Sequence, residues 1–200
     1  NPTEYSGDFV SPEQIIPPNG LQDELGRDLC WEACVTMNNN WGYHSLDKAF
    51  KPASMLIKKL VECVSKGGNL LLNVGPDARG RIPEESLAIL SQIGRWMERN
   101  RESIYGCSKS GLPKPENGRI TRRGNTLYYH VMEPAIGGVP LYGVSPDNIR
   151  QMRLLADQSE RKAMNNWIVN NYPDVAFVEL SGGPELPDPV DTVVEIELNA

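Results

Sequence analysis

The chain has 200 residues, of which 40% are hydrophobic and 23% charged, a balance typical of a globular protein with one large or two small domains. Its formal net charge of −6 disfavours nucleic acid and anionic membrane surfaces as partners, because both repel a negative protein. In the sequence, no apolar run approaches the roughly 20 residues that a membrane-spanning helix needs.

The N-terminal part of the chain predicts a loop followed by a strand. Residues 1–28 are rich in proline, glycine and asparagine, and the prolines exclude a long helix. Residues 29–37 form a mostly apolar, β-compatible run whose length fits one buried strand. The asparagine-rich stretch that follows predicts a loop at the C-terminal end of this strand, which is where α/β barrels carry their chemistry.

Two strand–helix units are predicted in the first half of the chain. The first helix covers residues 53–65 after Pro52, with apolar residues at three- and four-residue steps. The second unit has a strand at 69–74, whose unbroken leucines are typical of burial on both faces, and a helix from Pro83 to near Asn100. Two parallel units cannot close a barrel, so we expect further strands from polypeptide outside this sequence.

The character of the sequence changes after Cys107. Pro113 and Pro115 indicate a linker, and short β-like runs then alternate with turn-rich stretches, which predicts an antiparallel sandwich. The runs cover residues 118–122, 126–132, 151–156, 175–180 and 192–198. The expected fold class is therefore α/β plus all-β, with domains at residues 1–107 and 108–200.

Glu32 is the sharpest candidate for chemistry. It lies beside Trp31 in the predicted apolar strand. Burial there would raise the pKa of its carboxyl group and keep the proton available near neutral pH, as a general acid requires. The alternative is a buried glutamate that pairs with an arginine from another strand. Glu13 is a second candidate for the acid.

Three other side chains are candidates for ligand binding. Trp41 and Tyr43 lie on the loop after the first strand, where aromatic rings can stack on the C–H faces of a sugar or simply pack as hydrophobic residues. Asn73 ends the second strand, where its amide can orient a ligand or anchor a neighbouring loop.

The sequence predicts no metal site. Only two histidines are present, His44 and His130, and neither falls into a spacing typical of metal ligands. Four cysteines in 200 residues do not make a disulfide scaffold, and we expect them to be free thiols. They are Cys30, Cys34, Cys63 and Cys107.

The sequence resembles the α-L-fucosidases of glycoside hydrolase family 29. Four motifs occur in order, followed by the helix that reaches Trp96 and by the Ile104-Tyr105-Gly106 stretch, so that residues 7–107 are covered. The motifs are Gly7-Asp8-Phe9-Val10-Ser11-Pro12-Glu13-Gln14, Cys30-Trp31-Glu32-Ala33-Cys34 with its continuation to Tyr43, Gly67-Gly68-Asn69-Leu70-Leu71-Leu72-Asn73-Val74-Gly75-Pro76, and Asp77-Ala78-Arg79-Gly80-Arg81-Ile82-Pro83.

The resemblance implies a retaining exo-α-L-fucosidase that acts on a fucosylated glycan or a small fucoside without a cofactor. It implies that Glu32 is the acid/base, and with it we predict substrate-binding roles for four residues, namely Trp31, Trp41, Tyr43 and Asn73. The family nucleophile is an aspartate on an earlier barrel strand, in a motif that this sequence does not contain.

The chain is therefore interpreted as the end of a catalytic (β/α)8-like barrel followed by a C-terminal β-sandwich. The expected partner is the segment or companion chain that carries the nucleophile, and a homo-oligomer is left open. The alternative interpretation is a non-catalytic fragment, or a carbohydrate-binding or interaction module.

Overall fold

The computed structural model describes residues 7–180, 183 and 185–199. Its contacts divide the chain into two compact units, Asn1–Glu98 and Arg99–Ala200. This boundary lies earlier than the predicted 107/108, because the residues after it are tied to the second unit. The Thr121 hydroxyl, for example, donates a 2.7 Å hydrogen bond to the carbonyl oxygen of Ser103.

The first unit contains two strands and two helices in alternation. They are β1 (Glu32–Thr36), α1 (Ala53–Ser65), β2 (Asn69–Asn73) and α2 (Glu84–Asn100), of which the last two residues, Arg99 and Asn100, are assigned to the second unit. β1 and β2 pair in parallel, with Glu32 opposite Asn69 and Thr36 opposite Asn73. The predicted helix at 53–65 is confirmed, whereas β1 is shorter than the predicted run of residues 29–37. No helix in the described part of the chain is long and apolar enough to cross a membrane.

Residues 10–14, predicted as loop, pair in parallel with β1 on the side opposite β2. The N–H of Glu32 donates to the carbonyl of Val10 at 2.9 Å, and the N–H of Cys34 donates to the carbonyl of Pro12 at 2.9 Å. Glu13 is therefore paired in parallel with Cys34. Pro12 has no N–H to donate, so the ladder is interrupted there and remains a pair of isolated bridges.

The core of the first unit lies between the sheet and α1. Trp31, which directly precedes β1, packs with Ala33 and Val35 of β1 and with Cys63 of α1. Gly68 packs directly against Trp31 in this core, since a Cβ placed on Gly68 would lie 2.2 Å from Cε2 of the Trp31 ring. Only a residue without a side chain allows the chain entering β2 to pass so close to the indole.

The second unit is built from antiparallel strands. A six-stranded sheet has the order β3 (Ser108–Lys109), β4 (Gly118–Arg123), β5 (Thr126–Val131), β10 (Thr192–Leu198), β7 (Ile149–Leu154) and β8 (Glu160–Arg161), and a two-stranded sheet joins β6 (Val139–Tyr142) to β9 (Val175–Val178). One hydrophobic cluster contains residues of both sheets, including Tyr129, Leu141 and Ile196. Each of the five predicted runs overlaps a strand, with bounds that differ by up to two residues, and β3, β6 and β8 were not predicted.

β10 is more buried than its sequence suggests. Its clean alternation predicted a strand with one exposed face, yet Val193 and Glu195 are only 3% and 5% exposed. The strand pairs with β5 on one side and β7 on the other, so it is central in its sheet. The carboxylate of Glu195 is paired with Arg153 of β7, with 2.5 Å between Oε2 and Nε, which allows the charge to be buried.

Replacing Gly68 by alanine should destabilise the first unit. The added methyl group meets the Trp31 ring, which is 2% exposed and cannot swing into solvent without opening the core. We expect the free energy of unfolding to fall by about 1–3 kcal/mol. The control is Gly94→Ala in α2, where an added Cβ meets nothing within 4 Å. Thermal unfolding of the two variants measures the difference, and an unchanged melting temperature for Gly68→Ala would contradict the packing.

The ion pairs of Glu62 should make the free energy of unfolding depend on pH in the acid range. Glu62 accepts hydrogen bonds from Lys59 (2.8 Å) and Lys66 (2.6 Å). Burial alone raises its pKa, but the two lysines outweigh this effect and lower the pKa from 4.5 to about 2. Because the folded-state pKa is depressed, the stabilisation is complete above about pH 4.5 and is lost as the pH falls towards 2.

Glu62→Gln should therefore lose about 1–2 kcal/mol of stability at pH 7, discounted for the partly exposed Lys59. The difference from the natural protein should shrink as the pH falls through this range. Urea unfolding at a series of pH values measures it, with the exposed Glu24→Gln as control. A difference that is independent of pH would show that the ionised carboxylate is not what stabilises α1.

Candidate active site

β1 presents different side chains to its two sides. Trp31, Ala33 and Val35 face α1, and because strand residues alternate, Glu32 and Cys34 project from the opposite face. Residues paired in parallel share a face, so Glu13, opposite Cys34, projects there as well. We call this side the open face. It brings two carboxyl groups and a thiol together on one surface.

The electrostatics of Cys34 agree with this placement. Burial raises the pKa of its thiol, and the negative charges of Glu13 and Glu32 raise it further, the effect of Glu13 being the larger of the two. A thiolate would be repelled by both carboxylates. The open face therefore places two carboxyl groups within electrostatic reach of one thiol.

The two carboxylates differ in their position along the strands. Glu32 is the first residue of β1, about 13 Å from Thr36 at the other end of the strand. Glu13 is opposite Cys34, two positions closer to the C-terminal end. Ligands of open α/β sheets bind beyond the carboxyl ends of the strands, so Glu13 lies closer to the expected binding region.

The side chain of Trp31 faces the core and not the open face. It is 2% exposed and packs in the core between the sheet and α1. Gly20 and Gly68 both approach its ring. The predicted substrate contact of Trp31 is therefore corrected to a packing role, because its place in the strand alternation turns it towards the helix.

The loop after β1 carries Trp41 and Tyr43, which are 41% and 53% exposed. Asp47 holds the base of this loop. Its Oδ2 accepts from the N–H of Asn39 at 2.9 Å and from Nδ2 of Asn40 at 2.6 Å. The N–H of Ala49, which donates to Oδ1 at 3.0 Å, lowers the pKa of Asp47 most, and the bonds from Asn40 and Asn39 lower it further, so the carboxylate stays ionised in the loop.

Lys51 supports the same loop from below. Its Nζ donates to the carbonyl oxygens of Thr36 (2.7 Å) and Asn38 (2.8 Å), where β1 ends. Burial lowers the pKa of this ammonium group. The sequence analysis did not single out Lys51 or Asp47, because their partners are backbone groups at positions that only the folded loop defines.

A cleft of about 620 Å³ lies between this loop and the residues that follow β2. Of the predicted site residues, all within the described range 7–180, Tyr43 and Asn73 line the cleft, whereas Glu32 and Trp41 do not. The Oδ1 atom of Asn73 is buried, and no donor for it is found among the described residues. A buried amide oxygen without a donor can accept a hydrogen bond from a ligand hydroxyl.

Within the described residues, no group of three or more histidine, cysteine or acidic side chains is arranged to hold a metal ion. All four cysteines are free in the structure. His130, which carried no motif, is buried in the second unit with its Nδ1 2.8 Å from Oδ2 of Asp191.

The arrangement of the open face can be tested by thiol chemistry. Glu13→Gln should speed the labelling of Cys34 by iodoacetamide a few-fold, and Glu32→Gln should speed it less, because each removes a charge that disfavours the thiolate. Peptide mass spectrometry separates Cys34 from the exposed Cys30. Buried Cys63, whose pKa is raised to about 12, should stay unlabelled in every sample. Equal Cys34 rates in all three proteins would place the carboxylates elsewhere.

Comparison with known proteins identifies the family. The family model described as Alpha-L-fucosidase matches residues 1–102. The α-L-fucosidase of Dictyostelium discoideum is 46% identical over 105 residues, which is 52% of this chain and 22% of that protein. The tissue α-L-fucosidase of Bos taurus is 31% identical over 173 residues, 84% of this chain and 35% of that protein.

Solved structures extend the similarity to both units. The α-L-fucosidase isoenzyme 1 from Paenibacillus thiaminolyticus is 47% identical, with a TM-score of 0.93 over 98% of this chain and 46% of that one. A GH29 α-L-fucosidase from Bacteroides thetaiotaomicron, trapped as a covalent intermediate with 2-fluoro-fucosyl fluoride in a Glu-to-Gln mutant, is 26% identical, with a TM-score of 0.81 over 97% of this chain and 44% of that one.

The chain belongs to the α-L-fucosidase family of glycoside hydrolases, as the resemblance in the sequence predicted. It spans less than half the length of these relatives, from 22% of the Dictyostelium protein to 46% of the Paenibacillus chain.

Proposed function

We propose that this chain is part of a retaining exo-α-L-fucosidase that hydrolyses terminal α-L-fucosyl residues of glycans or small fucosides. The observation that carries the proposal is the similarity to the Paenibacillus α-L-fucosidase over 98% of the chain, with a TM-score of 0.93. The covalent intermediate named for the Bacteroides neighbour supports a retaining course, in which a glycosyl-enzyme forms and is then hydrolysed.

We propose that the first unit is the end of a (β/α)8 barrel and the second an antiparallel sandwich. Alternating strands and helices with a parallel β1–β2 pair support the first assignment. The hydrophobic cluster shared by the two antiparallel sheets supports the second. The remaining barrel strands would come from polypeptide outside these 200 residues.

In this mechanism one carboxylic acid protonates the departing glycosidic oxygen and then, as a carboxylate, removes a proton from water. The open face supplies two candidates. The residue match with the family favours Glu32, whereas the position of Glu13 nearer the C-terminal edge favours Glu13. We therefore propose Glu13 as the acid/base and keep Glu32, the residue that the resemblance favours, as the alternative.

The nucleophile would be an aspartate outside this chain, about 5–5.5 Å from the acid/base in a retaining enzyme. Asn73 would accept a hydrogen bond from a sugar hydroxyl through its buried Oδ1, for which no donor is found among the described residues. Tyr43 and Trp41 would offer aromatic faces to the C–H groups of the fucosyl ring from the loop above. No cofactor enters the reaction.

The test is hydrolysis by the natural polypeptide that contains these residues, compared with Glu13→Gln, Glu32→Gln and the surface control Glu24→Gln. We expect loss of the acid/base to lower kcat by about 10²–10⁴-fold on a fucosylated glycan. The loss should be smaller on 4-nitrophenyl α-L-fucoside, because nitrophenolate leaves without a proton.

The variant that shows this dependence on the leaving group identifies the acid/base. A large effect for Glu32→Gln alone would return the role to Glu32. Full activity in both variants would exclude both carboxylates, and a natural polypeptide inactive on every α-L-fucoside would overturn the proposed function.

A further inference from the structure

The loops that follow β1 and β2 meet backbone against backbone. Gly75, two residues after the end of β2, lies directly against the peptide that joins Gly42 to Tyr43. A Cβ placed on Gly75 would be 2.6 Å from the carbonyl carbon of Gly42 and 2.7 Å from the nitrogen of Tyr43. Because both contacts are with backbone atoms, no rotation of a side chain can relieve them, and only glycine fits.

This contact supports the tip of an otherwise anchored loop. The base of the loop is held by Asp47, which accepts from Asn39 and Ala49, and by Lys51, which binds the end of β1. The tip, Trp41-Gly42-Tyr43, extends beyond these anchors and rests on Gly75. The contact therefore joins the segment that follows β2 to the aromatic tip of the loop that follows β1.

The same contact forms part of the wall of the cleft. Gly42, Tyr43, Asn73 and Gly75 all line it. Tyr43 and Asn73 thus line the same cleft, and Gly75 sets the spacing between the two loops or strands that carry them. A shift of the tip by even a fraction of an ångström would move Tyr43 relative to Asn73.

We propose that Gly75 is a positioning residue. It holds the Trp41-Gly42-Tyr43 tip in the position relative to the cleft in which the tip can bind the fucosyl ring. The inference rests on the proposed function for the identity of the ligand. Substrate affinity then depends on the backbone contact of Gly75, although Gly75 has no side chain that could touch the sugar.

The expected signature is a change in KM rather than in kcat. The carboxylates proposed to move protons lie on the open face, whereas Gly42 and Tyr43 of the tip line the cleft, so displacing the tip weakens binding in the ground state and the transition state alike. For Gly75→Ala we expect KM for 4-nitrophenyl α-L-fucoside to rise about tenfold, with kcat within about threefold and the pH profile of kcat unchanged.

The experiment uses the natural polypeptide, Gly75→Ala and Gly94→Ala, with Tyr43→Ala and the double variant completing a cycle. Gly94 lies in α2, where an added Cβ meets nothing within 4 Å, so it controls for a glycine-to-alanine change. If Gly75 acts through the tip, which also carries Trp41, the KM of the double variant should rise by less than the product of the two single effects. Independent effects would instead multiply.

Hydrogen exchange of the amides at residues 38–47 gives a second readout that needs no activity. We expect faster exchange in Gly75→Ala and no change in Gly94→Ala. If the natural polypeptide hydrolyses no fucoside, the proposed function fails, while exchange still decides whether Gly75 holds the tip.

Unchanged exchange in this loop would overturn the positioning role. A Gly75→Ala protein with a lower melting temperature but an unchanged KM would reduce Gly75 to a packing residue. Fully multiplicative effects of Gly75→Ala and Tyr43→Ala on KM would show that Gly75 does not act through the tip.

Discussion

The alternation of side chains along β1 is the constraint on which the first unit depends. The strand is paired in parallel on both sides, by residues 10–14 and by β2, and this pairing sets its register. A shift of one residue would exchange its two faces. In the observed register, Trp31 closes the core against α1 and Glu32 is directed to the open face, so one set of hydrogen bonds determines both the packing and the placement of the carboxylate.

Two glycines show how closely the backbone is fitted around this strand. Gly68 lets the chain pass the Trp31 ring, and Gly75 lets the loop after β2 touch the loop after β1. The first contact belongs to the core and the second to the cleft, yet they lie at opposite ends of β2. The strand therefore connects the packing against Trp31 to the shape of the cleft, and at both ends the fit depends on the absence of a side chain on the glycine.

The second unit depends on a different arrangement. β10 lies in the centre of its sheet, with Val194 between Tyr129 and Leu154 and with Glu195 paired to Arg153. His130 and Asp191 are also fully buried and in contact with each other. Polar groups on the second face of a central strand need partners from neighbouring segments, because a buried charge without a partner is destabilising.

The sequence was sufficient to predict the helix at 53–65, the presence of β1 and β2, most strands of the second unit and the family, because periodicity and local motifs are properties of consecutive residues. It did not determine the strand-like pairing of residues 10–14, since their prolines indicate a loop and the hydrogen bonds come from β1, about twenty residues away. Tertiary structure alone decided that Trp31 is core, that Glu13 joins Glu32 on the open face, and that Lys51 and Gly75 support the aromatic loop. Each of these facts depends on which distant segment lies beside a residue, and no local pattern encodes that.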